Sequence, residues 1–439
     1  MSQADTDRED REREDQEERT DQEGHADRDE GAGQDEGAGA GREEAGGQDE
    51  GAGQDEAGER TDSAAIPEPR AEEPRGDASP AEEPRTAAEP AGGTAPDGFW
   101  SELRAAVTPR MVAMIAGALL LQLGFVLSYV GAFHHPQPHR VPIAVVAPQQ
   151  TAEQVVRKIN AIPDQPVKAT AVADEKAARA LLGDGETSGA LIVNPRSHND
   201  RLLVAGAGGA STANAVESVI TQAEKSQQRT VSVTDAVPPQ SGDARGLSSF
   251  YLVVGWTVGG YLFAALLGVS KGARPSSVRR AGARLLAAVP YAVLSGLGGA
   301  LIVGPGLGAL NDHFLALSAL GALVVFGAAA VTVAFQVLFG VLGIGVTVLL
   351  FVVLGNPSAG GAYGTDLLPP FWRTIGPALP NGAATHAVRH LVYFSGHGIT
   401  ANLAVLMAYA LGGVLATLVA ATLIHRRMSP ELDPAGARA

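Results

Sequence analysis

The chain contains no cysteine, so disulfides, thiolate-metal sites and thiol nucleophiles are excluded. No Gly-x-x-x-x-Gly-Lys-Ser/Thr occurs among its 439 residues, and it therefore carries no P-loop ATPase of its own. Asp, Glu, Lys and Arg are missing from the cores of its apolar segments. That disfavours a self-sufficient proton- or ion-driven pump, because such machines place ionisable side chains within the membrane. The first 30 residues hold no apolar run, so no cleavable signal peptide is expected. A His-Glu-x-x-His, a paired-carboxylate motif and a convincing Ser-His-Asp set are also lacking. The reading is therefore of a protein that is not an enzyme and needs no cofactor.

What is present is a set of six apolar segments, spaced as one, a gap of about 110 residues, then five: 111–133, 248–270, 285–303, 314–337, 341–355 and 401–424. Most are long enough, at ~1.5 Å per residue, to cross a hydrocarbon core of ~30 Å. The fifth is short and fits the second arm of a hairpin turning near Phe339–Gly340. The fold class expected is a polytopic α-helical membrane protein with six transmembrane helices in a 1+5 layout.

Charge divides the chain further. Residues 1–100 hold 32 Asp/Glu against 10 Arg, a charge of −22, which leaves +7 on residues 101–439 out of the chain's −15. The tail repeats Gln-Asp-Glu-Gly-Ala-Gly at 34–39 and 48–53, and Ala-Glu-Glu-Pro-Arg at 71–75 and 81–85. High charge, Gly and Pro with few large apolar residues predict disorder over 1–98. Such a tract is more often a solvated extension than an arm docking on a basic partner. Phe99, Trp100 and Leu103 suit the start of an interfacial helix ahead of the first span, within 99–133.

Lys and Arg concentrate in cytoplasmic loops. Lys271, Arg274, Arg279, Arg280 and Arg284 lie between the second and third segments, Arg426 and Arg427 follow the last, and Arg104 and Arg110 precede the first. The 304–313 loop has Asp312 and no Lys or Arg. Six crossings with both termini cytoplasmic satisfy this pattern. They leave 134–247 and 356–400 outside, 248–355 as spans two to five, 401–427 as the last span and 428–439 as a cytoplasmic tail. A multi-pass protein of the plasma membrane is the expected location, with the lipid bilayer and not nucleic acid as its surroundings.

Within 134–247, the stretch 141–237 predicts a small α/β domain of order β-α-β-α-β-β-α-β, one mixed sheet covered on one face. Thr151 reads as an N-cap with Gln154 as its partner, Asp174 as the cap of a helix over 175–182, and Gly183 as its stop.

Few side chains suggest chemistry. Gln122 and Gln336 are the most polar groups inside the spans, and such amides more often bond a neighbouring helix than a substrate. His386 and His390, four apart, share a helix face and form a possible metal half-site. No carboxylate has matching spacing, so interfacial histidines are the commoner case. Glycines throughout the spans suit close helix packing, and Pro290 is expected to kink the third. The stretch 356–385 is unusual for a loop. Leu367, Leu368, Phe371, Trp372 and Ile375 stand among four prolines, and predict a short helix lying in or re-entering the outer interface. A second, over 383–393, would turn Arg389 toward headgroups.

Three stretches resemble a known family. They are Val-Pro-Ile-Ala-Val-Val-Ala-Pro at 141–148, Asp-Glu-Lys-Ala-Ala-Arg-Ala-Leu-Leu-Gly at 174–183 running into Gly-Ala-Leu-Ile-Val-Asn-Pro at 189–195, and Asn-Pro-Ser-Ala-Gly-Gly at 356–361 followed by Leu-Pro-Pro-Phe at 368–371 and Gly-Pro-Ala-Leu-Pro at 376–380. With the 1+5 layout they look like the ABC-2-type permease superfamily, in its YhgE/Pip-like (phage infection protein-like) branch, over residues 105–427. The resemblance implies an export subunit, typically a homodimer with a separate nucleotide-binding ATPase subunit. It would move an amphipathic or lipid-like compound outward. The coupling surface would then use Arg104, Arg279 and Arg280, and the outer gate Phe371, Trp372 and Arg389. The chain departs from the better-understood permeases ahead of its first span, where only about 99–110 remains for an ATPase contact. The alternative is an envelope receptor or secretion-accessory protein that binds a partner through its outside domain.

Overall fold

Five short strands form one mixed sheet in the order β2-β1-β3-β4-β5. The computed structural model describes Gly98 and residues 108–428. Arg104, the 99–103 segment, the acidic tail up to residue 97 and residues 429–439 lie outside the described residues.

The strands are β1 (Val141–Val146), β2 (Val167–Ala171), β3 (Gly189–Ile192), β4 (Asn199–Val204) and β5 (Thr230–Asp235), with helices α2 (Gln149–Asn160), α3 (Glu175–Gly183) and α4 (Ala210–Ser226) between them. β1 pairs parallel with β2 and β3, β3 turns back antiparallel on β4, and β4 runs parallel to β5. The element order and the mixed sheet are as the sequence predicts.

The one-face expectation is wrong. Val141, Ile143, Val145, Leu191 and Leu202 pack with Ile159 of α2 and with Val216 and Ile220 of α4. Ala144, Ala190 and Leu203 point the other way and pack on Ala178 and Leu182 of α3. The central strands are therefore buried on both faces, which is why β1 and β3 read as continuous apolar runs. Asp174 caps α3 as expected, accepting from the Ala177 N–H at 2.8 Å. Thr151 does not cap α2. The helix starts at Gln149 after Pro148, and the Thr151 hydroxyl donates back to the Pro148 carbonyl at 3.1 Å.

Beside the sheet lie α1 (Pro109–Phe133), α5 (Ser248–Lys271), α6 (Val278–Leu301, prolonged by a wide turn to Gly306), α7 (Phe314–Phe339) and α11 (Ile399–Met428). These five are long and apolar enough to cross a membrane, which marks a multi-pass membrane protein. Helix α8 (Leu342–Val348) continues through wide π-type turns to Gly355 and ends at Ser358, giving a shorter apolar helix of residues 342–358. α7 is apolar all round and sits centrally, packed by α5, α6 and α11, as expected of a helix without a polar face. α1 keeps its large side chains exposed and touches the rest mainly along α8.

Small residues permit the central packing. The Trp256 indole lies against Gly299 and Gly321, where any side chain would collide with it, and donates to the Ser295 carbonyl at 3.2 Å. Gln336, fully buried, donates to the Ala264 carbonyl of α5 at 3.0 Å. It is the inter-helix amide the sequence predicts. Gln122 is exposed on α1.

Polar contacts sort the helix ends into two groups. Arg274, after α5, donates to the Leu338 carbonyl at the end of α7. At the other end, Gln240 exchanges bonds of 2.7 and 3.3 Å with the Asn311 backbone in the α6–α7 loop. There too, Phe133 at the end of α1 packs on Tyr363.

Candidate functional site

The segment after α8 is built from short helices, α9 (Pro370–Ile375) and α10 (Pro380–Tyr393). Asn381 fixes their position. A π-type turn displaces main-chain carbonyls from the regular ladder, and the buried Asn381 amide donates to the Phe351 carbonyl there at 3.2 Å and to the Asn356 side chain at 2.7 Å. Nearly all of α10 is buried, from Pro380 to Arg389, against α5, α7 and α11. The expectation of a helix lying on the outer interface is thus corrected for this segment, because its small residues let it pack inward.

Arg389 is corrected with it. It does not face headgroups. It is 3% exposed and donates to the Gly360 carbonyl at 2.8 Å and the Gly246 carbonyl at 3.2 Å. One turn on, the Tyr393 hydroxyl donates to the buried Asp243 carboxylate at 2.8 Å, and the other Asp243 oxygen accepts from the Ser248 N–H at 2.8 Å. These bonds seat the exit of the α/β domain on α10.

Where the two parts meet there is a cleft of about 140 Å³. The domain contributes Pro142, Gly185, Thr187, Ser188, Ala205, Gly208 and Thr212; the later segment contributes Gly364, Thr365, Asp366, His386, Arg389, His390 and Phe394. Its electrostatics follow from burial. Burial brings Arg389 down to about 10, opposed by Asp243 and Tyr393, so it remains a cation at neutral pH. Burial, then the nearby Arg389 and His390, pushes His386 down to about 4, so its imidazole is neutral. His390 is lowered chiefly by burial, although its ring bonds the His397 carbonyl at 2.5 Å. The Asp366 carboxyl is pushed up by burial, with Arg373 and His139 opposing. The histidine pair picked out by sequence does line one site, with ring centroids 6.4 Å apart. Among the described residues, however, no group of three or more His, Cys, Asp or Glu is placed to hold a metal ion.

The other two residues expected at the outer gate lie elsewhere. Trp372 is buried with Ala132 and Leu368 beneath the end of α1, and Phe371, largely exposed, meets it edge-on at 4.9 Å. Arg279 and Arg280 are exposed at the start of α6, where Ser277 caps the helix by accepting from the Arg280 N–H. Arg284 in the same basic run is different. It is buried and donates to the carbonyls of Lys271, Gly272 and Ala273 at 2.6 to 3.3 Å, closing the C-terminal end of α5.

A second concavity opens between α5 and α6. This groove, about 640 Å³, is lined by Ser248, Tyr251, Leu252, Gly255, Trp256, Ser295, Gly298, Gly299, Ile302, Val303, Leu307 and Ala309, and is almost wholly apolar. Sequence reading missed both the groove and the Asp243–Tyr393 pair. The glycines that hollow the groove read equally well as packing, and no local spacing links residue 243 to residue 393. No family model, no curated protein and no solved structure matches the chain.

Proposed function

We propose that this chain is the permease subunit of an ABC-2-type exporter, of the YhgE/Pip-like kind, that moves an amphipathic or lipid-like compound outward. It acts as a homodimer powered by a separate nucleotide-binding ATPase. The observation that carries the reading is the apolar groove between α5 and α6. It runs from Ser248 and Tyr251 at the domain end of α5 down to Trp256, with Tyr251, Ile302 and Leu307 exposed on its rim. A mostly apolar groove with a few polar groups, Ser248 and Tyr251 at the domain end and Ser295 beside Trp256, suits an amphipathic molecule.

The proposed topology is six crossings of the plasma membrane with both termini cytoplasmic. α8 begins just after the Gly340 turn, at the end Arg274 marks, and finishes at Ser358 beside Gly376, at the end shared with the domain. At ~1.5 Å per residue its 17 residues span roughly 25 Å. That is short of an average ~30 Å core, and local thinning can accommodate it. If α8 crosses, Arg426 falls on the same side as Lys271, Arg279 and Arg280, in keeping with the positive-inside rule. Arg279 and Arg280 then form an exposed cytoplasmic surface for an ATPase.

The test is purification of the tagged full chain in detergent with quantitation of co-purifying proteins. A stoichiometric P-loop ATPase, lost in Arg279→Glu/Arg280→Glu, is the expected result. Reproducible recovery without any ATPase overturns the reading in favour of a receptor or secretion-accessory protein working through its α/β domain.

A further inference from the structure

Arg389 is a buried cation whose guanidinium is not fully bonded. It makes no ion pair within 4 Å among the described residues, and both oxygens of Asp243, the acid that most affects it, are already bonded to Tyr393 and to the Ser248 N–H. Its Nε has no hydrogen-bond acceptor. Across the cleft the Thr187 hydroxyl is also buried and unpartnered, and the His386 imidazole lines the same cleft. Unsatisfied buried donors are rare because each costs desolvation with nothing in return. Here two such groups, one from the α/β domain and one from α10, line one cleft beside the half-buried His386.

We propose that this cleft binds a phosphate-type oxyanion, held by Arg389, Thr187 and His386. An arginine that remains charged supplies the attraction, and charge-assisted hydrogen bonds to an oxyanion are the strong class. The volume equals that of about four to five waters at ~30 Å³ each, room for one such group and a solvating water. The acid on the wall, Asp366, is opposed by Arg373 and His139 rather than by Arg389, so it does not serve as the arginine's internal counter-ion. The proposal goes beyond the export reading and does not depend on ATPase coupling. The oxyanion's source is either free phosphate or a phosphomonoester lipid headgroup.

The experiment uses the full chain in neutral detergent. Its unfolding midpoint is followed during titration with inorganic phosphate against chloride of equal ionic strength. In a second arm the chain sits in phosphatidylcholine vesicles with or without phosphatidic acid. A saturable upward shift with phosphate identifies a free-oxyanion site, and a shift only with phosphatidic acid identifies a headgroup site. Thr187→Val, nearly isosteric and removing only an unpartnered hydroxyl, should weaken binding roughly tenfold, the worth of one hydrogen bond to a charged group. Arg389→Lys should weaken it further by losing the planar donor fork. The proposal is overturned if neither ligand gives a saturable shift beyond chloride, or if Thr187→Val binds as tightly as the unmodified chain. The threonine variant decides the matter even if the arginine variant does not fold.

Discussion

Tyr393 donates its hydroxyl to Asp243 at 2.8 Å across 150 residues of chain. The bond joins the last turn of α10 to the segment leaving the α/β domain, next to Arg389's bond to the Gly246 carbonyl. Removing the phenol leaves a buried carboxylate oxygen without its donor. Tyr393→Phe should therefore lower stability by about 1.5–3 kcal/mol, the usual worth of a hydrogen bond to a charged group. Asp243→Ala should cost more, because it also strands the Ser248 N–H. Denaturant melts in detergent decide this, and a change under about 0.5 kcal/mol for Tyr393→Phe would show the pair to be incidental.

The basic run between α5 and α6 should separate into two kinds of arginine. Arg279→Glu and Arg280→Glu should leave the melting curve nearly unchanged, since both side chains are exposed. Arg284→Ala should destabilise by about 2 kcal/mol or more, because the carbonyls of Lys271, Gly272 and Ala273, at and just past the end of α5, lose a buried charged donor. Equal losses from all three would contradict this division.

Gly268 and Gln336 should be energetically coupled. A Cβ on Gly268 would stand 2.5 to 2.8 Å from the Gln336 amide. Gly268→Ala should therefore destabilise the helix bundle by about 1–3 kcal/mol as overpacking does. In a Gln336→Ala background much of that cost should disappear. The double-mutant cycle gives the coupling, and strict additivity would mean the helices adjust without the amide yielding.

Acid should loosen the junction. His386 has a folded value of about 4, below its ordinary 6.5. Its contribution is therefore complete above pH 6.5 and is lost as pH falls toward 4. His390, lowered in the same direction, adds to the trend. Asp366 is raised, so its contribution runs the other way, present at low pH and lost as pH rises through its elevated value. His386→Asn should flatten the melting midpoint between pH 6.5 and 4, and Asp366→Asn should raise it at neutral pH. An unchanged slope in His386→Asn would remove the histidine from the account.

Much of this architecture was readable because it rests on local rules. The β-branched run at 141–146 and the Asp174 cap place a strand and a helix without outside help. The apolar length of α7 announces a buried helix. What was not legible depends on contacts between distant residues. The second covered face of the sheet shows only as small side chains, Ala144 and Ala190, on the side opposite the larger ones. Arg389 reads as an interfacial charge until Gly360 and Gly246 are seen to supply carbonyls for it. The His386–His390 spacing marked one helix face but not the cleft it lines, because the residues across that cleft, Thr187 and Asp366, lie far away in the chain.

The cleft also has a place in the order of synthesis. Its walls run from Pro142 to Phe394, so it cannot exist until nearly all of the chain has been made. The strands and helices of the α/β domain end at Asp235 and can pair as soon as they emerge, whereas the arginine and histidines arrive only with α10. A nascent chain halted before Pro380 would contain the sheet but lack Arg389, His386 and His390. Completion of the cleft therefore reports that insertion has passed α8 and that α10 has docked.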